Sequence, residues 1–232
     1  MTAAIRAALA GLSDDPAVLA KLERYVELFL ERNAAMNLSA ARDPQAVAGH
    51  VRDSLAIADL VRDPLVDIGS GGGFPAIPLA IATGARATLI ESTAKKARFL
   101  EEVVRELGLA VAVRAERAED AARDPALRGQ FASATARGVA SAPAVIELAI
   151  PFLEVGGVAV LQRGRLDAAE RTAAGDAALV LGAELEDEIV AGDGDERRVL
   201  LVRKLVPTAQ RFPRRAGIPS KRPLCYEGGG GG

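Results

Sequence analysis

Apolar residues in the first sixty positions recur at helical spacing. Leu19, Leu22, Val26 and Phe29 fall three, four and three apart, marking one face of a helix, and Val51, Leu55, Ala58 and Val61 predict a second helix from about His50 to Val61. Between them lies the polar stretch N-A-A-M-N-L-S-A-A-R-D-P, closed by Asp43-Pro44. These elements predict a helical cap over residues 1–62. From Leu65 the period changes. Short apolar runs near Leu65–Ile68, Ala87–Glu91, Ala110–Arg114, Phe131–Thr135 and Gly157–Gln162 alternate with helical stretches, notably Thr93–Leu107, Ala142–Phe152 and Leu166–Leu181. Such alternation predicts a parallel sheet covered on both faces. Two last β-prone runs, Glu184–Val190 and Arg197–Lys204, are joined only by A-G-D-G-D-E, which makes them antiparallel. Residues 63–206 are therefore expected to form an α/β domain, a mostly parallel seven-stranded sheet with one antiparallel strand. The remainder, 207–232, is rich in proline and has little periodicity. It predicts an extended, irregular arm ending in a mobile glycine run, Gly228–Gly232.

The first strand runs directly into glycines, L-V-D-I-G-S-G-G-G-F-P at Leu65–Pro75. Gly69, Gly71, Gly72 and Gly73 free the backbone to fold over a flat, adenosine-sized ligand, although a tight turn alone would use the same residues. A dinucleotide fingerprint needs a third glycine where Phe74 stands. A phosphate cradle uses free N–H groups at the next helix start, and Pro75 has none. The loop thus suits a nucleoside without phosphates beside an aromatic wall, which favours S-adenosylmethionine over NAD or ATP. With the reversed final strand, this is the arrangement of the class I (Rossmann-like) S-adenosylmethionine-dependent methyltransferases.

In open α/β sheets the ligand sits beyond the carboxyl ends of the strands. Glu91 closes the second strand where a carboxylate is expected to accept from ribose hydroxyls, the alternative being a strand-end acid facing water. Ala118 and Glu119 follow the third strand, placed to meet an adenine, though acids also suit a helix start for dipole reasons. Arg137, at the tip of the fourth strand, faces the place of the transferred methyl group. The D/N-P-P-Y type motif of amino-group methylation is absent, and Cys225 lies in the tail, poorly placed to attack a pyrimidine. One cysteine and one histidine, His50, make no Cys/His metal set, and no G-x-S-x-G surrounds any serine. No metal site is expected. No apolar run reaches membrane-spanning length, so a cytoplasmic location without membrane association is expected.

The net charge of −2 hides an asymmetry, because seven basic residues and no acid lie between Arg203 and Tyr226. Such a patch meets phosphates or simply solvates a tail. Arg42 in the cap connection, Lys95, Lys96 and Arg98 at the start of the helix after strand two, Arg163 at the rim, and Arg211, Arg214, Arg215, Lys221 and Arg222 in the tail are the expected phosphate contacts. For Lys95, Lys96 and Arg98 the alternative is pairing with Glu101 and Glu102 on their own helix. Two tyrosines and no tryptophan argue against extensive base stacking.

Several motifs together give a resemblance: N-L-S-A-A-R-D-P, the spaced His50 and Asp53-Ser54, V-D-I-G-S-G-G-G-F-P-A-I-P-L, L-I-E-S-T-A-K-K-A-R-F-L, R-A-E at Arg117–Glu119, and the tail F-P-R-R-A-G-I-P-S-K-R-P-L. Over roughly residues 20–205 the chain resembles the RsmG (GidB) methyltransferases, bacterial enzymes that methylate N7 of a guanine in 16S rRNA. The resemblance implies cofactor contacts at Gly69, Phe74, Ala118, Glu119 and Arg137, and 16S rRNA or the small ribosomal subunit as partner, with no stable protein partner. The chain departs from the family pattern at Ala132, where an aspartate is usual, at Ala136-Arg137-Gly138 in place of S-R-A, and at Arg163 in place of a lysine. Guanine N7 carries a lone pair and no proton, so no general base is nominated. A small-molecule methyltransferase and a non-catalytic RNA-binding protein on the same fold are the alternatives.

Overall fold

A computed structural model describes residues 2–191 and 197–225. The glycine run at Gly228–Gly232 and residues 192–196 of the last hairpin connection lie outside them. Helices α1 (Thr2–Leu9), α2 (Pro16–Met36) and α3 (Pro44–Leu55) form the cap. Helix α2 starts on Asp15, whose side chain accepts from the Ala17 N–H at 2.8 Å. Helix α3 begins six residues before the start expected from its apolar face. Asp43 caps it by accepting from the Ala46 N–H at 2.9 Å, and Pro44 has no N–H to leave unpaired. It ends at Leu55, and a separate 3₁₀ turn covers Ala58–Leu60.

Seven strands follow: β1 (Leu65–Ile68), β2 (Ala87–Ile90), β3 (Val111–Arg114), β4 (Phe131–Arg137), β5 (Leu153–Gly164), β6 (Ala183–Val190) and β7 (Arg197–Lys204). Their order is β3-β2-β1-β4-β5-β7-β6, and only β7 runs against its neighbours. This is the expected class I, Rossmann-like sheet. Alternate residues of β1 face opposite sides. Leu65 joins the core shared by the cap, α4 (Ala76–Thr83) and α5 (Ala94–Leu107), while Val66 and Ile68 join the core beneath α6 (Ala118–Ala121), α7 (Ala142–Ala149) and α8 (Ala168–Val180). The same alternation turns Asp67 toward the cap.

The cap seats on the glycine loop through missing side-chain atoms. A Cβ on Gly72 would stand 2.5 Å from Phe29 Cε2, and one on Gly73 3.0 Å from Tyr25 Oη. Tyr25 Oη instead donates to the Gly72 carbonyl at 2.6 Å.

Beyond β7 the chain is irregular as expected, but it is packed against the domain. It runs back across the α7 side of the sheet, buries Phe212, and forms a short helix, α9 (Ile218–Lys221). Arg128 donates to the carbonyls of Thr208, Ala209 and Phe212, and Arg123 to that of Pro213. Prolines deprive such a segment of N–H donors, and guanidinium groups supply donors to its carbonyls.

Candidate cofactor and acceptor site

The loops after β1, β2 and β3 lie side by side at the carboxyl edge. Gly69 N–H and Ser70 N–H donate to the Ile90 carbonyl at 2.9 and 3.2 Å, tying the glycine loop to β2. The Glu91 carboxylate receives the Gly71 N–H on one oxygen at 2.8 Å and the Thr93 N–H on the other at 2.6 Å. Both bonds orient it, and each oxygen keeps a second lone pair for a ligand hydroxyl. The glycines divide the work. Gly69 is packed by Val139, which a Cβ would meet at 2.8 Å, whereas a Cβ on Gly71 would find only the Gly69 carbonyl, at 3.7 Å. Gly71, at φ +55°, is therefore the bare stretch open to a ligand.

Phe74 is the centre of a packed cluster, with the rings of Tyr25, Phe29 and His50 each 5.3 Å away. Over its face lies the Arg137 guanidinium, 5.1 Å from the ring centroid. The guanidinium also stands 4.0 Å from Asp53 Oδ2 and makes no hydrogen bond among the described residues. Burial lowers its pKa, and its own charge, after burial, lowers that of His50, to about 4. His50 is therefore neutral near pH 7.

Asp67 sits beneath the loop. One carboxylate oxygen accepts from Thr135 Oγ1 at 2.7 Å, and the other is buried without a partner. Burial raises this carboxyl to about 7 against the opposing pull of Thr135, Ser70 and Arg137. A buried carboxyl with one unanswered oxygen, beside a loop with one bare glycine, leaves an unmet hydrogen-bonding demand at the floor of the loop.

Next to Arg137 opens a cavity of about 320 Å³ whose lining includes Asp53, Gln162, Arg163, Arg197 and Arg198. Its volume is that of a small-molecule pocket. Gln162 donates from Nε2 to the Asp53 carbonyl at 2.7 Å, leaving Oε1 buried and unpaired. Asp53 is ion-paired with Arg197.

The family model for rRNA small subunit methyltransferase G matches residues 18–200. Ribosomal RNA small subunit methyltransferase G of Chloroflexus aggregans is 43% identical over 88% of this chain and 90% of its own, and that of Rubrobacter xylanophilus 40% over 91% and 85%. The chain belongs to the rRNA small subunit methyltransferase G family. Solved structures share the fold at lower identity. An O-methyltransferase from Bacillus cereus in complex with SAH superposes at TM-score 0.56, with 20% identity over 84% of this chain and 94% of its own. A branched-chain polyamine synthase from Thermus thermophilus reaches 0.57, with 14% identity over 80% and 64%.

In this member of the methyltransferase G family, the residues singled out by sequence occupy distinct settings. Gly69, Gly71, Phe74, Glu91 and Arg137 converge on the carboxyl edge of β1, β2 and β4. Ala118 and Glu119 open α6 beyond β3, and Glu119 accepts the Gly217 N–H at 2.7 Å. Lys95 and Arg98 are exposed, Lys96 is half-buried, and none forms an ion pair among the described residues. Glu102 pairs with Arg32 of the cap. Arg42 is occupied by the Asn33 carbonyl and Asn37 Oδ1, and Arg163 by Glu170 and the Ala140 carbonyl. Arg214 closes on the buried Glu147, while Arg211, Arg215, Lys221 and Arg222 are exposed. Gly138 lies at φ +66°, a left-handed turn that a glycine takes without strain.

Asp53, Gln162 and Arg197 line the cavity without having been nominated from sequence. Gln162 had a signal, a polar residue at a strand tip, but the pairing of Asp53 with Arg197 joins α3 to β7 across the fold. Among the described residues no cluster of three or more His, Cys, Asp or Glu could hold a metal, and no helix is long and apolar enough to cross a membrane.

Proposed function

We propose that the chain transfers a methyl group from S-adenosylmethionine to N7 of a specific guanine in 16S rRNA, acting on the RNA or on the small subunit that contains it. The observation carrying this reading is the juxtaposition of the bare glycine loop and the unpaired Asp67 oxygen with a cation-lined cavity, in a chain of this family. When bound, S-adenosylmethionine supplies a methyl on a sulfonium, which the N7 lone pair takes directly as the S–C pair leaves on sulfur.

Glu91 would hold the ribose through its free lone pairs, and Asp67 the cationic end of the cofactor. Arg137 stands between the cofactor floor and the acceptor cavity with its donors uncommitted, suited to fixing the guanine or its phosphate. No proton leaves N7, so alignment and exclusion of water are the main demands. Lys95, Lys96 and Arg98 and the outward tail residues Arg211, Arg215, Lys221 and Arg222 would meet phosphates, whereas Arg42, Arg163 and Arg214 hold the fold around them.

The test is transfer of radiolabelled methyl to 30S subunits and to free 16S rRNA from cells lacking the endogenous enzyme, with mapping of the modified base. One labelled guanine N7, lost in Arg137→Ala, is expected. Labelling of free guanosine as efficiently as RNA would favour a small-molecule methyltransferase, and cofactor binding without transfer a binding protein.

A further inference from the structure

The C-terminal segment is held against the domain at successive points. Arg128 and Arg123 gather the carbonyls of Thr208, Ala209, Phe212 and Pro213. Arg214 donates from its backbone N–H and its guanidinium to the Glu147 carboxylate, which is fully buried, and from the guanidinium to the Arg222 carbonyl. After these anchors the chain turns at Gly217, at φ +78°, and aims the Gly217 N–H at Glu119 Oε1, 2.7 Å away.

Glu119 is 5% exposed, and its second oxygen, Oε2, accepts no hydrogen bond among the described residues. It stands in the first turn of α6, which follows β3, on the same edge of the sheet as Glu91 after β2 and Gly71 after β1, because those strands are neighbours. A carboxylate pinned on one oxygen cannot rotate freely, so the other is a fixed acceptor. An exocyclic amine answers it, and a carbonyl at the same place is repelled.

We propose that residues 207–225 form the adenine-side wall of the cofactor pocket, and that the Gly217 N–H positions Glu119 so that Oε2 reads the adenine amine. This rests on the cofactor reading above. The tail is then a source of cofactor selectivity as well as of outward charge, and Gly217 is a positioning residue acting through Glu119. Tail docking and cofactor binding strengthen one another by linkage.

The test is calorimetric binding of S-adenosylhomocysteine and S-inosylhomocysteine, which differ by amine against carbonyl. The unmodified chain is expected to prefer the adenine compound by at least about tenfold. The full chain carrying Arg128→Ala and Phe212→Ala, which loosens the tail without touching Glu119, is expected to discriminate by no more than about threefold. In Glu119→Gln the amide oxygen takes the Gly217 N–H and the amide NH₂ faces the ligand, so the preference is expected to reverse. Retention of the original discrimination in either variant overturns the proposal.

Amide exchange in the unmodified chain gives a second measurement that needs no substitution. Exchange across residues 208–218 is expected to slow when S-adenosylhomocysteine saturates the protein, and unchanged exchange overturns the proposal. Failure of the unmodified chain to bind S-adenosylhomocysteine overturns the cofactor reading itself and takes the proposal with it.

Discussion

The two halves of the site are built on opposite principles. On the side proposed for the cofactor, backbone N–H groups of Gly71, Thr93 and Gly217 fix the orientation of Glu91 and Glu119. On the side proposed for the acceptor, the Arg137 guanidinium has no hydrogen bond among the described residues and Gln162 Oε1 is buried unpaired. Protein-satisfied groups make a preformed surface, whereas unsatisfied ones store a demand that a partner must meet. Asp67 is intermediate, with one oxygen answered by Thr135 and one open.

The largest expected effect comes from removing the acceptor side's central cation. Arg137→Ala should lower single-turnover methyl transfer by at least about 100-fold while leaving S-adenosylhomocysteine affinity within about threefold of the original. An equal loss of binding and transfer would erase the boundary between the two halves. Next comes Gly72→Ala, which forces a Cβ to within 2.5 Å of Phe29 Cε2. Overpacking there should cost about 1–3 kcal/mol in denaturant unfolding. Gly71→Ala should instead act on cofactor affinity, and an equal stability loss at both positions would contradict the division of roles among the glycines.

A smaller effect follows from Asp67, whose carboxyl is raised to about 7. Only its ionised form attracts a cation, so S-adenosylhomocysteine affinity should rise between about pH 6 and 8, by about tenfold at most, and Asp67→Asn should flatten the slope. Without ligand the sign reverses. A raised carboxyl stabilises the folded chain at low pH, and that contribution is lost as pH climbs through about 7. His50, lowered to about 4 from 6.5, works the other way, its contribution present above 6.5 and lost as pH falls toward 4. Unfolding midpoints of Asp67→Asn and His50→Asn across this range separate the two. The smallest effect is expected at the surface, where Lys95→Ala should weaken RNA binding modestly and reduce the slope of log affinity against log salt by about 1.

Much of the frame was legible from local pattern. Strands β1 to β5 and the β6–β7 hairpin lie close to their expected positions, because alternation and turn composition are properties of neighbouring residues. The start of α3 was legible too, since Asp43-Pro44 is a helix-start signal, but the apolar face placed the helix too late. The tail's irregularity was legible in its prolines, but its docking was not, because its partners, Arg128, Arg123 and Glu147, are far away in the chain. The loop glycines were visible as a group, yet their separate roles depend on Phe29, Tyr25 and Val139, and none of those contacts is local.

By itself the sequence determined the α/β alternation, the reversed last strand and the glycine turn beside an acid-tipped second strand, because each depends on residues within a few positions of one another. Only the tertiary structure decided which glycine stays bare, which carboxylate oxygens stay open, and which arginines are spent on the fold. Those outcomes depend on burial and on partners brought from 20 to nearly 100 residues away, such as Gly71 to Glu91 and Glu119 to Gly217. A charge written in the sequence is available to a ligand only if no such partner reaches it first.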